Sequence, residues 1–234
     1  MHLPKGLTPE QVEYLERHLK GELAKWRMRS LFPAEGPLRR ELYPRHMAFF
    51  KAGKTFRERL FMAGNRVGKT IAGAYEATLH LTGRYPDWWQ GRVFDEPGAW
   101  YASGSTLETT RDIVQLELMG TEADGWGTGM IPAADIDDVK KRVNGGGALD
   151  YAVVKHQSGG FARVNFKSYD QGRKAFEGTA KQGIWLDEEP PQAIYTECLT
   201  RTATTKGLVL VTFTPLNGAT DVVMDFIENA ELVS

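Results

Sequence analysis

The chain has 234 residues, 41% hydrophobic and 25% charged, with a formal net charge of −1 and a pI of about 6.5. No run approaches the roughly 20 apolar residues of a membrane span. A near-neutral balance also argues against a domain that clamps DNA tightly by itself, because such domains are strongly basic; a basic patch on one face, or binding by an assembled ring, stays open. The single cysteine, Cys198, excludes an internal disulfide and a cysteine zinc cluster and fits a reducing compartment.

The opening residues "MHLPKGLTPEQ" carry no charged-then-apolar leader pattern. Thr8 as cap, Pro9 at the first helical position and Gln11 completing a capping box predict a helix start. Val12, Leu15, Leu19, Leu23 and Trp26 continue it as one apolar stripe, within an N-terminal extension over 1–38 that "LFPAEGP" interrupts. "RLFMAG" then predicts a strand, followed by a helix from Lys69 to about Leu81. "GAWYASGS" predicts a second strand, with "TLETTRDIVQLELMG" behind it as a capped helix. "LDYAVVKH" and "FARVNFKSY", flanking "QSGG", read as a hairpin. "GIWLDEE" and "LVLVTFTP" are buried-strand candidates, each followed by a helix. The alternation implies one α/β domain over 1–234, with a mainly parallel central sheet flanked by helices, and ligands bound beyond the carboxyl ends of the strands.

"AGNRVGKT", 63–70, falls between the first strand and its helix, where a phosphate loop belongs. The usual pattern starts with glycine; Ala63 stands there instead, and Gly64 is expected to supply the turn one position later. Gly64, Asn65, Arg66, Val67 and Gly68 would wrap the phosphates. Lys69 would reach the outer ones, and the Thr70 hydroxyl would sit on Mg²⁺. The second half of such a site is "GIWLDEEPP", 183–191, which lies 118 positions on, counted from Lys69 to Asp187 (187 − 69). Asp187 at the strand end would hold Mg²⁺, and Glu188 would polarise the attacking water. A solvated strand-to-helix turn is the alternative for the acids taken alone. No N-K-x-D segment that reads guanine is present, which favours ATP.

Together "AGNRVGKT", "GIWLDEEPP" and "VLVTFTPLNG" resemble the ATPase domain of large terminase subunits, the packaging motors of tailed double-stranded DNA bacteriophages, over about residues 40–234. The resemblance implies a P-loop fold of the ASCE type and a role for each matching residue. Arg66 matches the family's loop arginine, which contacts the γ-phosphate from within the same subunit and stabilises charge developing on the transferred group. Thr212 and Thr214 match the coupling motif, with an ordinary β-rich strand end as the alternative. In "LYPRHMAFF" His46 stands where relatives carry an adenine-reading glutamine. Tyr43 or His46 would contact the base, with a surface or core role as the alternative. An arginine given to the neighbouring subunit matches Arg173 first and Lys174 second, because Glu177 occupies the position next to Gly178 where relatives often carry arginine; solvated charges are the alternative.

The resemblance further implies an Mg²⁺-dependent ATPase that drives double-stranded DNA into a procapsid, in the cytoplasm of an infected bacterial host and without a membrane. Its partners would be a portal protein, a small terminase subunit and further copies of itself in a ring, the isolated domain being monomeric. The chain ends at Ser234 without a second set of spaced aspartates, so nuclease activity is not expected from it. Two other readings remain: a helicase-like ATPase, against which the missing R-x-x-R or Q-x-x-R segment after the last strand counts, and a non-catalytic ATP-binding assembly module.

Overall fold

The computed structural model describes residues 8, 10, 27–215, 218 and 220–229. Pro9, Gln11 and the stripe Val12, Leu15, Leu19, Leu23 and Trp26 of the expected first helix lie outside the described residues, as do Leu216 and Asn217. Seven strands form one sheet: β1 Glu58–Met62, β2 Ala99–Gly104, β3 Ile136–Lys141, β4 Leu149–Lys155, β5 Phe161–Ser168, β6 Gly183–Asp187 and β7 Leu208–Phe213, in the spatial order β1-β7-β6-β2-β5-β4-β3. The first five in that order run parallel; β4 is antiparallel to β5, and β3 to β4. The helices are α1 Pro44–Ala52, α2 Lys69–Thr82, α3 (Leu107–Thr109, Thr110–Gln115 and Leu116–Met119 in succession), α4 Gln192–Ala203 and α5 Asp221–Asn229. No helix of the described residues is long and apolar enough to cross a membrane.

The central strands explain the order. Every residue of β6 and of β7 is buried, as a strand covered on both faces requires. One apolar cluster under α2 includes Trp100, Val164, Trp185 and Leu210; the other, under α4 and α5, includes Ile184, Leu186, Val211 and Phe213. Met28 and Phe32 also join the first cluster, so the segment before α1 is packed into the core. The alternation of strand and helix holds for β1, β2, β6 and β7 but fails in the middle, where β3, β4 and β5 follow one another without helices. β3 is the strand the sequence does not announce. "IDDVKK" is an irregular edge strand with charges on four of its six positions, a composition that blunts an unpaired edge. α3 carries the expected cap, with the Thr106 side chain accepting from the Thr109 N–H, but Thr110–Gln115 is wound as a π-helix. There the Thr110 hydroxyl accepts from the Gly104 N–H and donates to the Lys167 carbonyl, pinning the wide turn to the ends of β2 and β5.

β7 separates β1 from β6, and Thr212 is in register with both Phe61 and Asp187. The loop after β1 and the acids after β6 therefore emerge on the same edge, about 10 Å apart across two strand spacings. α2 closes that gap by lying hard against β6. A Cβ on Gly73 would sit 2.3 Å from Trp185 Nε1, so only a glycine lets the helix approach this closely. A buried ion pair fixes the other side. Arg59 of β1 donates to Glu76 of α2 at 2.5 and 3.0 Å and to the Phe49 carbonyl of α1 at 2.7 Å. Burial pushes the Glu76 carboxyl up, but Arg59 and His80 outweigh it and hold the group below its usual range.

Gly73→Ala gains helix propensity and still destabilises, because the methyl meets a rigid buried indole. Overpacking should cost about 1–3 kcal/mol and lower Tm by about 4–8 °C for a 2 kcal/mol loss. Thermal unfolding checks it, and an unchanged Tm would mean that α2 does not rest on Trp185.

Candidate active site

The loop between β1 and α2 turns through two left-handed residues, Arg66 at φ 61° and Gly68 at φ 83°. Gly64 is not one of them, so the expectation that it supplies the turn is corrected: the chain folds back three to five residues beyond Ala63, and the missing glycine there has no bearing on the turn. Gly68 is the N-cap of α2. The Lys69 ammonium, largely buried, donates to the Gly64 carbonyl at 2.6 Å and so closes the loop over itself. Asn65, Arg66 and Val67 are exposed along its rim. The Thr214 hydroxyl, just past the end of β7, donates to Asn65 Oδ1 at 2.8 Å, tying the loop to that strand.

Beneath the loop lies His46 of α1, only 7% exposed. Its ring meets Phe61 edge-on at 4.9 Å and Tyr43 at 5.4 Å, and its Nε2 lies 3.2 Å from where a Cβ on Gly68 would be. Burial lowers the imidazole pKa, while the backbone at Gly68 and Val67 pulls it back upward. His46 thus occupies a core position that supports the loop, and Tyr43 beside it is half-buried.

Asp187 ends β6 and is 3% exposed. Thr70 donates to its two carboxylate oxygens at 3.1 and 3.2 Å, and Thr212 donates to Oδ1 at 2.7 Å. Thr212 in turn accepts from Trp185 Nε1 at 2.8 Å. The loop, the acidic strand end and β7 therefore meet at one carboxylate. Burial pushes Asp187 up to about 7, with Glu188 adding to the rise and Thr212, Thr70 and Lys69 opposing it. Among the described residues no cluster of three His, Cys, Asp or Glu side chains stands ready for a metal. The donor set at Thr70 and Asp187 nevertheless suits Mg²⁺, which takes one or two protein oxygens and draws the rest from phosphate and water. A buried carboxylate short of positive charge is what such a cation would relieve.

Glu188 is exposed and left-handed at φ 73°, a conformation costing about 1–2 kcal/mol for a non-glycine residue. Two bonds hold it there. Its N–H donates to the Thr212 carbonyl at 2.9 Å, and the buried Tyr169 hydroxyl donates to the carbonyls of Glu188 at 2.8 Å and Asp187 at 3.1 Å. Burial raises the Tyr169 phenol well above its usual range, so it stays a donor. Burial also raises the Glu188 pKa, against the pull of Lys69. Sequence reasoning misses both Tyr169 and the Trp185–Thr212 bond; the signal available is Gly73 inside an otherwise strong helix, opposite a strand tryptophan. Arg173 is not at the loop. It donates to Glu197 at 2.7 Å and pairs with Glu177 at 2.8 Å beside α4, while Lys174 is exposed next to it.

A family model of the N-terminal part of the T4likevirus-type terminase large subunit matches residues 60–233. The chain belongs to the large terminase subunit family. It is 38% identical over 239 aligned positions to the terminase large subunit of Salmonella phage P22, covering 94% of this chain and 46% of that protein. Two solved large terminases share the fold at 13% identity. That of bacteriophage HK97 has a TM-score of 0.53 over 89% of this chain and 40% of the other. That of a thermophilic bacteriophage, solved with ADP, has a TM-score of 0.52 over 78% and 42%. The chain thus spans less than half the length of these terminases. Their fold agrees with the α/β sheet described above.

In the metal-free chain the Asp187 shift has a defined sign. A carboxyl raised from 3.8 to about 7 on folding stabilises the native state fully below pH 4, and that stability is lost as pH rises through 7. Asp187→Asn should therefore match the unsubstituted chain near pH 4 and exceed it at pH 8, by at most about 4 kcal/mol. Urea unfolding without divalent cations at the two pH values measures the difference, and an equal gap at both would contradict the shift.

Proposed function

We propose that this chain is an Mg²⁺-dependent ATPase whose turnover drives double-stranded DNA into a viral procapsid. The observation that carries the reading is the contact of Thr70 with Asp187, which joins a phosphate loop to an acidic strand end in a chain of the terminase family. That the thermophilic phage's terminase was solved with ADP supports a nucleotide as the ligand.

The backbone N–H groups of residues 64–70 and the start of α2 would take the phosphates, with Lys69 released from Gly64 to reach the outer ones. Thr70 and Asp187 would hold Mg²⁺, which would offset the charge of the β- and γ-phosphates. Arg66, exposed at the loop's turn, would meet the γ-phosphate and stabilise the charge it develops. Glu188 would orient a water and accept its proton at the carboxylate, a task that a raised pKa favours. Loss of the phosphate would be felt at Thr212, which lies in β7 and touches Asp187, and at Thr214, which lies just past β7 and touches Asn65. Tyr43 would contact the base.

In a ring, a neighbouring copy would supply Arg173, which within one chain is held by Glu177 and Glu197. A portal protein and a small terminase subunit complete the proposed assembly, in the host cytoplasm.

Steady-state hydrolysis tests the assignment. Glu188→Gln should keep ATP binding and lose turnover by about 10²–10⁴-fold; unchanged turnover would remove Glu188 from the mechanism. Tyr169→Phe keeps the ring and deletes the hydroxyl that holds the Glu188 backbone. It should lower kcat by about 10–100-fold with KM unchanged, whereas a merely structural tyrosine would lower the fraction folded and leave kcat per folded molecule intact.

A further inference from the structure

One face of β3, β4 and β5 lies outside both apolar layers, bordered by Tyr101 at the edge of the second. The cluster under α4 and α5 takes strand residues from β1, β2, β6 and β7 and none from β3, β4 or β5. On that side Asn165 of β5 is flanked in register by Tyr101 of β2 and Tyr151 of β4, and Tyr151 faces Lys140 of β3. Four cations stand over the two tyrosines. The Lys181 and Lys167 amines lie 4.6 and 5.7 Å from the Tyr101 ring centre, and Arg163 and Lys140 lie 3.7 and 6.0 Å from that of Tyr151. Arg163, Lys167 and Lys181 line a concavity of about 320 Å³ with Tyr101 in its wall.

None of these charges has a close carboxylate partner. Among the described residues none of the four has a carboxylate within 4.0 Å, and the one acid lining the concavity, Glu177, is taken by Arg173 at 2.8 Å. Lys181 is only 4% exposed, yet its amine bonds to nothing but the Thr179 hydroxyl at 2.8 Å. A buried ammonium without a carboxylate is costly unless an anion arrives. Burial lowers the pKa of Lys167 and of Lys181, and neighbouring cations lower both further, with Asp150 opposing the shift at Lys167.

We propose that this tyrosine-floored basic face contacts the phosphodiester backbone of duplex DNA. The inference rests on the packaging reading above and gives it a surface. A site for one small anion would gather its charges around a point. These extend from Lys181 across β2, β5 and β4 to Lys140 on β3, three strand spacings or about 14 Å, close to the roughly 12 Å between backbones across a major groove. Contact through amines and a guanidinium to phosphates carries no sequence preference. It is also compatible with a net charge of −1, because a local basic face can meet phosphates whatever the balance of the whole chain.

The test is duplex binding by fluorescence anisotropy over a salt series, with the full chain and the double variant Arg163→Gln/Lys167→Gln, both at solvent-reached positions. The double variant should bind at least about 10-fold more weakly at low salt, and the slope of log K against log salt should shrink by about 2, one for each lost phosphate contact. ATP affinity should not change, and Arg163→Lys/Lys167→Arg should restore the slope. Unaltered binding and slope in the Gln variant would overturn the surface alone. No duplex binding by the unsubstituted chain would overturn the surface and the DNA reading together. Loss of self-association with DNA affinity intact would reassign the face to a neighbouring copy, and that too overturns the proposal.

Discussion

The carboxylate of Asp187 is the point on which the arrangement of the site depends. It is buried at the end of a strand, bonded by Thr70 from the first turn of α2 and by Thr212 from β7. Three elements far apart in sequence are thereby fixed to within a hydrogen bond of one another. A carboxylate so placed is poorly solvated and carries a raised pKa, so the ligand-free chain holds an unfavourable group at its centre. The proposed Mg²⁺, arriving with a nucleotide, would relieve that cost. The cost in stability and the proposed affinity for a cation would then have the same origin.

Keeping that carboxylate in place requires tight packing behind it. Gly73 lets α2 touch Trp185, and the indole N–H orients the Thr212 hydroxyl so that its own proton points to Asp187. His46 backs the loop from α1, and Arg59 binds α1, β1 and α2 through a buried pair. Each contact comes from a different element, and each limits the loop's freedom to drift from the acidic edge. The strain at Glu188 is held in the same manner, by one bond from β7 and one from Tyr169.

The parts of the fold legible in the sequence are those with a strong local signal. β1, β2, β6 and β7 are apolar runs with turn residues behind them, and the β4–β5 hairpin is announced by "QSGG". Thr70 and Asp187 are legible as a pair because chemistry demands both, although 117 residues separate them. What the sequence hides depends on register and approach. β3 alternates no clean apolar pattern, since its outer face is charged and it pairs on one side only. Tyr169 looks like an ordinary core aromatic until its hydroxyl is seen to reach two carbonyls 18 and 19 residues away. The family position makes His46 a base contact, whereas three aromatic rings and the loop backbone enclose it.

Arg173 connects the site to the basic face. It pairs with Glu177, on the rim of the concavity, and with Glu197 of α4, while Tyr169 stands four residues earlier, in the preceding short helix. If Arg173 leaves these carboxylates for a neighbouring copy, Glu177 loses its partner beside Lys181 and Lys167, and the field of the face changes by one charge. The same segment carries the hydroxyl that sets the backbone of Glu188. A movement of residues 169–177 would therefore reach the proposed water-orienting group through a hydrogen bond and the proposed DNA surface through a carboxylate. The two effects differ in kind. The first acts through a short hydrogen bond from a buried hydroxyl and persists at any salt concentration, whereas the second is electrostatic at an exposed rim and fades as ionic strength rises. Coupling between hydrolysis and DNA through this segment should therefore weaken with salt without vanishing.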